Sequence, residues 1–376
     1  MLGALLMLPK IIRPLTTLAD AGLLMPAEWE PHAATWLAWP HNAADWPGKF
    51  EVIPWIYGEM ARKITVGERL RLIVRHERDT AVARRVFRQA GVDLRQVQFV
   101  VHPTDRGWTR DTGPIFVKSA AGGQRAGRAK AARSGQDIVH FHFNGWARYD
   151  NWRRDTRVPE TAARLLRLPL WDAQFGGQPF TLEGGGIEVN GRGTLLSTEE
   201  CYLHPKLQVR NPGLSRRDYE ETFGRYLGAT NVFLLAKGLK GDDTHGHIDD
   251  ICRFVNPRTL VLVQEKNQGD ANYRPLAENW ERIGDLRLED GSRPEVIPLP
   301  MPAPLYFEGV RLPASYANFY ICNAAVIVPT FNDVNDRVAL GILAELFRDR
   351  PVVGIHAVDL VWGFGSLHCL TQQQPA

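Results

Sequence analysis

Cys369 closes the run Gly363-Phe364-Gly365-Ser366-Leu367-His368-Cys369, which presents a thiol on a glycine-rich turn. Far upstream, Asp243-Thr244-His245-Gly246-His247-Ile248-Asp249-Asp250 sets a His-x-Asp in a polar turn, and Arg110-Asp111-Thr112-Gly113-Pro114 carries a carboxylate after an arginine. These are the parts needed to hydrolyse a guanidinium group. The guanidinium carbon is resonance-stabilised and the group is cationic. Attack on it needs a thiolate, carboxylates that grip the planar N–H fork, and a group that protonates departing ammonia. Taken singly, each residue has a plainer reading: Cys369 as a core thiol, His247 as a hydrogen-bonded loop histidine, Asp111 as an ion-pair partner or helix cap, Glu183 as a brace for a glycine turn, Trp108 as core. Their occurrence together favours the chemical reading.

Five separated stretches, in order, bear on the question: Met25-Pro26-Ala27-Glu28-Trp29-Glu30-Pro31-His32, Trp108-Thr109-Arg110-Asp111-Thr112-Gly113-Pro114, Leu182-Glu183-Gly184-Gly185-Gly186, Gly246-His247-Ile248-Asp249 and His368-Cys369-Leu370-Thr371-Gln372-Gln373-Gln374-Pro375. Through them the chain resembles the agmatine deiminase branch of the guanidine-modifying (pentein) superfamily, over nearly all its length from Met25. It departs from the commonest pattern at His245, Asp250 and Ser366, where asparagines are expected. The resemblance implies that Cys369 is the nucleophile, His247 the acid and base, Glu183 the partner that orients His247, and Asp111 and Asp249 the guanidinium clamp, with Trp108 walling the pocket. It also implies the substrate, agmatine, and the product, N-carbamoylputrescine, with neither metal nor organic cofactor. Three carboxylates near one thiol should raise its pKa, so the thiolate should depend on the cationic substrate or on His247. No residue is read as the holder of agmatine's distal ammonium; Glu28, Glu30 and Asp45 are weak candidates.

These residues need a scaffold that gathers positions far apart in sequence. Hairpin-like patterns recur at 186–197, 251–263 and 319–329, and helical patterns start near Val158, Ser215, Asn272 and Asn335, at a spacing of roughly 60 residues. Ser215 offers an N-cap, as does Asn335 or Asp336 for a helix over 338–347. Strands are expected at 232–235, 296–299 and 352–355. An earlier unit has strands at 115–118 and 138–143. The first unit has strands at 34–39, 70–74 and 97–101 with helices at 55–64 and 80–89. That makes five related α/β modules, and the segment 367–370 is expected to pair with the first module's strand and close a ring. The resemblance implies the same architecture, a five-bladed α/β propeller with pseudo-fivefold symmetry and its active site on the central axis.

The 376 residues are 44% hydrophobic and 23% charged, an ordinary globular composition, and a net charge of +3 calls for no polyanionic partner. A single catalytic domain is expected over 25–376, preceded by an extension at 1–24 that is partly disordered. The apolar run 1–8 is broken by Pro9 and Lys10 and lacks a basic flank, so a frayed end or over-extended start is read in preference to a signal or membrane span. The basic segment 122–133 has no aromatic interleaving and reads as a solvated loop without nucleic-acid function. Four cysteines form no disulfide framework, Cys252 and Cys322 read as buried thiols, and a reducing, cytoplasmic location follows. A homo-oligomer is compatible with the sequence. Rival readings remain: deimination of free or peptidyl arginine, a non-catalytic guanidinium binder, and a metal-dependent hydrolase. The last would use His245, His247 and Asp249, whose alternation would put three ligands on one side of an extended segment. Chelator sensitivity separates it from the thiol reading.

Overall fold

The runs Thr259–Gln264 and Ala325–Thr330 are almost continuously aliphatic, and each forms the middle strand of a sheet, buried along nearly its whole length. Such runs suit strands covered on both faces, as when a helical crossover returns the chain to a parallel neighbour. The computed structural model describes residues 22–119 and 135–376 together with the backbone of Ile11–Ile12. The expectations for 1–8 and 122–133 lie outside the described residues.

The fold is mixed α/β, and among the described residues one ββαβ plan is repeated five times. Glu188–Val189 pairs antiparallel with Thr194–Thr198, helix Arg216–Leu227 crosses over, and Asn231–Leu235 joins in parallel. Cys252–Asn256, Thr259–Gln264, helix Tyr273–Ile283 and Glu295–Pro300 repeat the plan. So do Tyr320–Cys322, Ala325–Thr330, helix Asn335–Leu346 and Val352–His356. Ile115–Ser119, Gln136–His140, helix Val158–Leu166 and Leu170–Asp172 form a wider version, with Ile11–Ile12 and Leu23–Leu24 on its two edges. Two strands therefore fall inside the segment expected as an extension.

The fifth unit is built from both ends of the chain. Thr371–Pro375 pairs antiparallel with His32–Ala38, which continues in parallel to Arg69–Val74 and Val97–Val101. The expected pairing of the C-terminal segment with the first module is present, but its strand is Thr371–Pro375; 367–370 is a helical turn ahead of it. Helix faces follow the 3.6-residue period. Ile53–Ile64 buries Ile53, Tyr57, Met60, Ala61 and Ile64 and carries a proline in its first turn. Ser215 caps its helix as expected, in a reciprocal box with Asp218. The helix expected at 80–89 begins at Glu77, where Asp79 accepts from the His76 amide. The helix expected at 338–347 begins at Asn335, and neither Asn335 nor Asp336 caps it. Asp333 accepts the Asn335 amide, while Asp336 folds back onto the amides of Phe331 and Asp333. Among the described residues no helix is long and apolar enough to cross a membrane.

Candidate active site

One local device recurs in every module: a short turn just ahead of the first strand. Asp111 lies in the helical turn Thr109–Thr112 before Ile115–Ser119, and Glu183 precedes the turn Gly184–Gly186 before Glu188–Val189. His247 precedes Ile248–Asp250 before Cys252–Asn256, and Cys369 lies in Leu367–Leu370 before Thr371–Pro375. In the remaining module Asn318 stands ahead of Tyr320–Cys322, and its amide nitrogen lies 3.1 Å from Cys369 Sγ. Groups spread over most of the chain thus meet because five equivalent turns meet.

The Cys369 thiol is buried and lies 3.6 Å from Asp249 Oδ2. Burial first, then the charges of Asp249, Asp250 and Asp111, push its pKa well above the ordinary thiol range. His247 has the opposite balance. Burial would strip its proton, but Asp111 at 3.8 Å, Glu183 at 3.6 Å and Asp249 at 3.9 Å outweigh that and raise its pKa to about 10. At 3.6 Å the contact with Glu183 is an ion-pair separation longer than a hydrogen bond. Both ring nitrogens of His247 therefore lack a hydrogen-bond partner, as does Asp249 Oδ1. Buried polar atoms left open in this way are uncommon and call for an occupant.

Asp111 is fixed from both sides: Trp146 Nε1 donates to Oδ2 at 2.8 Å and the Gly185 amide to Oδ1 at 3.1 Å. Burial raises its pKa to about 6 against the pull of His247, with Glu183 and Asp249 adding to the rise. Glu183 receives Arg210 Nε at 3.1 and 3.2 Å on its two oxygens. Burial favours its neutral form, yet Arg210 and His247 hold it below its usual range. Asp249 Oδ2 meets His368 Nδ1 at 2.7 Å, and His368 Nε2 meets Glu28 Oε2 at 2.7 Å. A neutral imidazole has one N–H, so a bridge between two carboxylates carries one further proton. Glu28 is closed off behind it by Arg110 at 3.1 Å and Arg253 at 2.9 Å.

A cavity of about 390 Å³ opens onto Cys369 and Asp111, with Trp108 and Trp146 in its wall and Asp45, Asp243 and Glu308 among its lining. Trp108 is buried against Trp46, with ring centroids 5.3 Å apart, and a side chain at Gly365 would strike it at 2.7 Å. A larger cavity, about 560 Å³, is lined by His204, His245, Glu200 and Asp242 and reaches neither the thiol nor Asp111.

The structure therefore brings Cys369, His247, Glu183, Asp111, Asp249 and Trp108 into one region. It does not bring in His245. The positive φ of His245 and Gly246 and the turn after His247 break the alternation on which the metal reading depended, and His245 turns to the carbonyl of Glu200 at 3.2 Å. Of the three ammonium candidates, Glu28 is sealed in its ion pairs, Glu30 is bound to Lys118 at 2.7 Å, and Asp45 lines the cavity. Sequence reasoning missed Asn318, Arg210 and the relay through His368. His368 adjoins the thiol and had a signal; Asn318 and Arg210 had none.

Fold and cavity together are those of a mixed α/β protein that gathers a thiol, an imidazole and carboxylates at one buried site. The profile of the Porphyromonas-type peptidyl-arginine deiminase family matches residues 24–375, and the chain belongs to that family. It is similar to the agmatine deiminase of Pseudomonas aeruginosa strain LESB58, 32% identical over 96% of this chain and 98% of the relative. It also resembles that of Ectopseudomonas mendocina, at 33% with the same shares. Among solved structures, agmatine deiminase of Enterococcus faecalis superposes with a TM-score of 0.85 at 27% identity, over 97% of this chain and 99% of that one. A serine-for-cysteine variant of the C. jejuni agmatine deiminase with substrate bound gives 0.79 at 27%, over 94% and 96%.

Gly185 provides the sharpest steric test of the site. A Cβ there would lie 2.5 Å from His247 Nδ1 and 2.9 Å from Asp111 Oδ1. Gly185→Ala should displace one of these groups and lower turnover at least about tenfold to a hundredfold, since misplacement near 1 Å has that effect. A variant with normal kcat and KM would mean that His247 and Asp111 are not held against this turn.

Proposed function

We propose that this chain hydrolyses agmatine to N-carbamoylputrescine and ammonia through a covalent amidino-thioether on Cys369. The observation that carries the reading is the set of unpartnered polar atoms beside the thiol, Asp249 Oδ1 and both nitrogens of His247. A guanidinium supplies N–H donors to the first, and a leaving ammonia or incoming water engages the second. Asp111 accepts one hydrogen bond at each oxygen already, but a carboxylate offers about four lone pairs, so both oxygens keep capacity for substrate.

In the mechanism, Asp111 and Asp249 fix the guanidinium plane, and its positive charge offsets the burial and the carboxylates that hold the thiol protonated. On binding of the cation the thiol gives up its proton to solvent through the cavity, and the resulting thiolate attacks the guanidinium carbon. His247, charged in the free site, protonates the departing ammonia, then takes a proton from the water that resolves the intermediate. Glu183, anchored by Arg210, keeps His247 charged and oriented. No step passes through a metal. The five ββαβ units are the blades of an α/β propeller with these groups on its axis. Residues 25–376 act as one catalytic domain, to whose second sheet Ile11–Ile12 and Leu23–Leu24 add edge strands, and the enzyme is cytoplasmic and part of polyamine synthesis from decarboxylated arginine.

Agmatine is favoured over arginine by the charge of the cavity wall. Among the described lining residues Asp45, Asp111, Asp243 and Glu308 outnumber one cation, Arg106, which is engaged by Asp45 at 2.8 Å and by Asn151; behind the lining Arg148 pairs with Asp243 at 2.9 Å, and the wall keeps an excess of carboxylates. A dication suits that wall; an α-carboxylate does not. Agmatine, free arginine and arginyl peptides, assayed for ammonia and ureido product, should give kcat/KM for agmatine at least about a hundredfold above the others. Equal or greater turnover of arginine would overturn the substrate assignment.

The pH profile tests the acid–base roles. The active form needs Asp111 ionised and His247 protonated, so kcat/KM should fall as pH drops through about 6, where Asp111 takes a proton, and as pH rises through about 10, where His247 loses one. The limbs belong to the interacting set as apparent values. A basic limb in the ordinary histidine range would contradict the assignment of His247 as a charged acid.

A further inference from the structure

His140, His142 and Asp172 form a cluster on the second sheet, outside the lining of the Cys369 cavity. His140 ends the strand Gln136–His140 and lies opposite Asp172, the last residue of Leu170–Asp172. His142 continues the extended chain through a bridge to Thr181. Residues two apart in extended chain share a face. The two rings accordingly lie side by side, tilted by 32° with centroids 4.5 Å apart, and both reach the same carboxylate oxygen: His140 Nδ1 at 3.3 Å and His142 Nε2 at 3.0 Å from Asp172 Oδ1.

The hydrogens do not balance with two neutral rings. Thr156 O lies 2.8 Å from His140 Nε2, and a carbonyl only accepts, so that nitrogen carries the ring's hydrogen. Nδ1 then turns a bare lone pair toward a carboxylate oxygen. Something positive belongs between them, either a second proton or a metal cation.

We propose that His140 Nδ1, His142 Nε2 and Asp172 Oδ1 bind a divalent transition-metal ion of the zinc type, with water in the fourth position. The three ligand atoms lie within 4.8 Å of one another. Metal–ligand bonds of about 2.0–2.1 Å give a tetrahedral edge of roughly 3.3 Å, close to the two separations measured to Asp172. The outer shell is already in place: His140 donates through Nε2 to Thr156 O, and Gln174 Nε2 donates to Asp172 Oδ2 at 3.0 Å. Such partners fix the tautomer of a ligating histidine and orient a ligating carboxylate. Side-chain exposures of 27% for His142 and 22% for Asp172 leave room for water and a path of entry. Two imidazoles and one carboxylate suit zinc, cobalt or nickel better than calcium or magnesium. The ion would pin two parallel strands at the root of the segment that leads to Trp146, whose indole holds Asp111.

The test uses full-length protein stripped with chelator and exchanged into chelator-free buffer, titrated with Co²⁺ by absorption and with Zn²⁺ by calorimetry. His142→Gln and Asp172→Asn are compared with wild type after circular dichroism has confirmed their folding. Wild type should take up one equivalent of Co²⁺ with the d–d bands of a tetrahedral nitrogen–oxygen site and no thiolate charge-transfer band. Its Tm should rise on adding Zn²⁺. Both variants should lose that equivalent and that shift. Failure of wild type to bind either metal would leave the second proton as the occupant and overturn the proposal. So would equal binding by the variants, or a thiolate band that assigns the ion to a cysteine.

Discussion

A buried charge network centred on Glu28 links the turns of Asp111 and Cys369 to the strand that follows Asp249. Its Oε1 receives Arg253 and the Ile321 amide; its Oε2 receives Arg110 and His368. Arg253, fully buried, also spends donors on Glu188 and on the carbonyls of Ala317 and Phe319. One carboxylate near the start of the described chain thereby ties together the turn that carries Asp111, a strand leading from the turn of Asp249, and the C-terminal turn that carries Cys369. Replacing such a network by apolar residues is often neutral in stability, whereas removing one partner costs about 3–5 kcal/mol. Stability alone is then a weak reason for its presence. Positioning is the stronger one, because His368 spans the network and Asp249, and Asp249 touches the thiol.

The electrostatics of the free site follow from that placement. Burial and four carboxylates, Asp111, Glu183, Asp249 and Asp250, act on the thiol and the imidazole. They hold the imidazole charged and the thiol neutral, the reverse of what attack requires at sulfur. The missing ingredient is positive charge at the position of the substrate. A site arranged in this way keeps its nucleophile quiet until a cation arrives, and Asn318, beside Sγ and bonded to Ser366 and to the His368 amide, holds the sulfur still meanwhile.

How much of this could be read in advance depended on the range of the signal. Asp111, Glu183, His247, Asp249 and Cys369 each sit on a local turn rich in glycine or polar residues, and such turns are legible one at a time. The repeat of hairpin, helix and strand was legible for the same reason. Asn318 and Arg210 were not, because nothing near them in sequence shows what the assembled modules bring opposite. The closing strand was misplaced because Thr371-Gln372-Gln373-Gln374-Pro375 has no apolar alternation. It is buried all the same, with Gln373 bound to Arg110 and Gln374 to Trp36 and Arg71. The alternation of His245, His247 and Asp249 misled in the other direction, since two left-handed residues and a tight turn interrupt it.

The central claim is a covalent bond between Cys369 and the guanidinium carbon, and mass spectrometry of acid-quenched reactions with agmatine tests it most directly. The account predicts that the Cys369 peptide gains the mass of agmatine less ammonia. The gain should be greater in His247→Ala, if loss of the base slows resolution more than formation. It further predicts that Cys369→Ala loses at least about three orders of magnitude in turnover. Unmodified Cys369 peptide under conditions of steady turnover, together with an active Cys369→Ala enzyme, would contradict it.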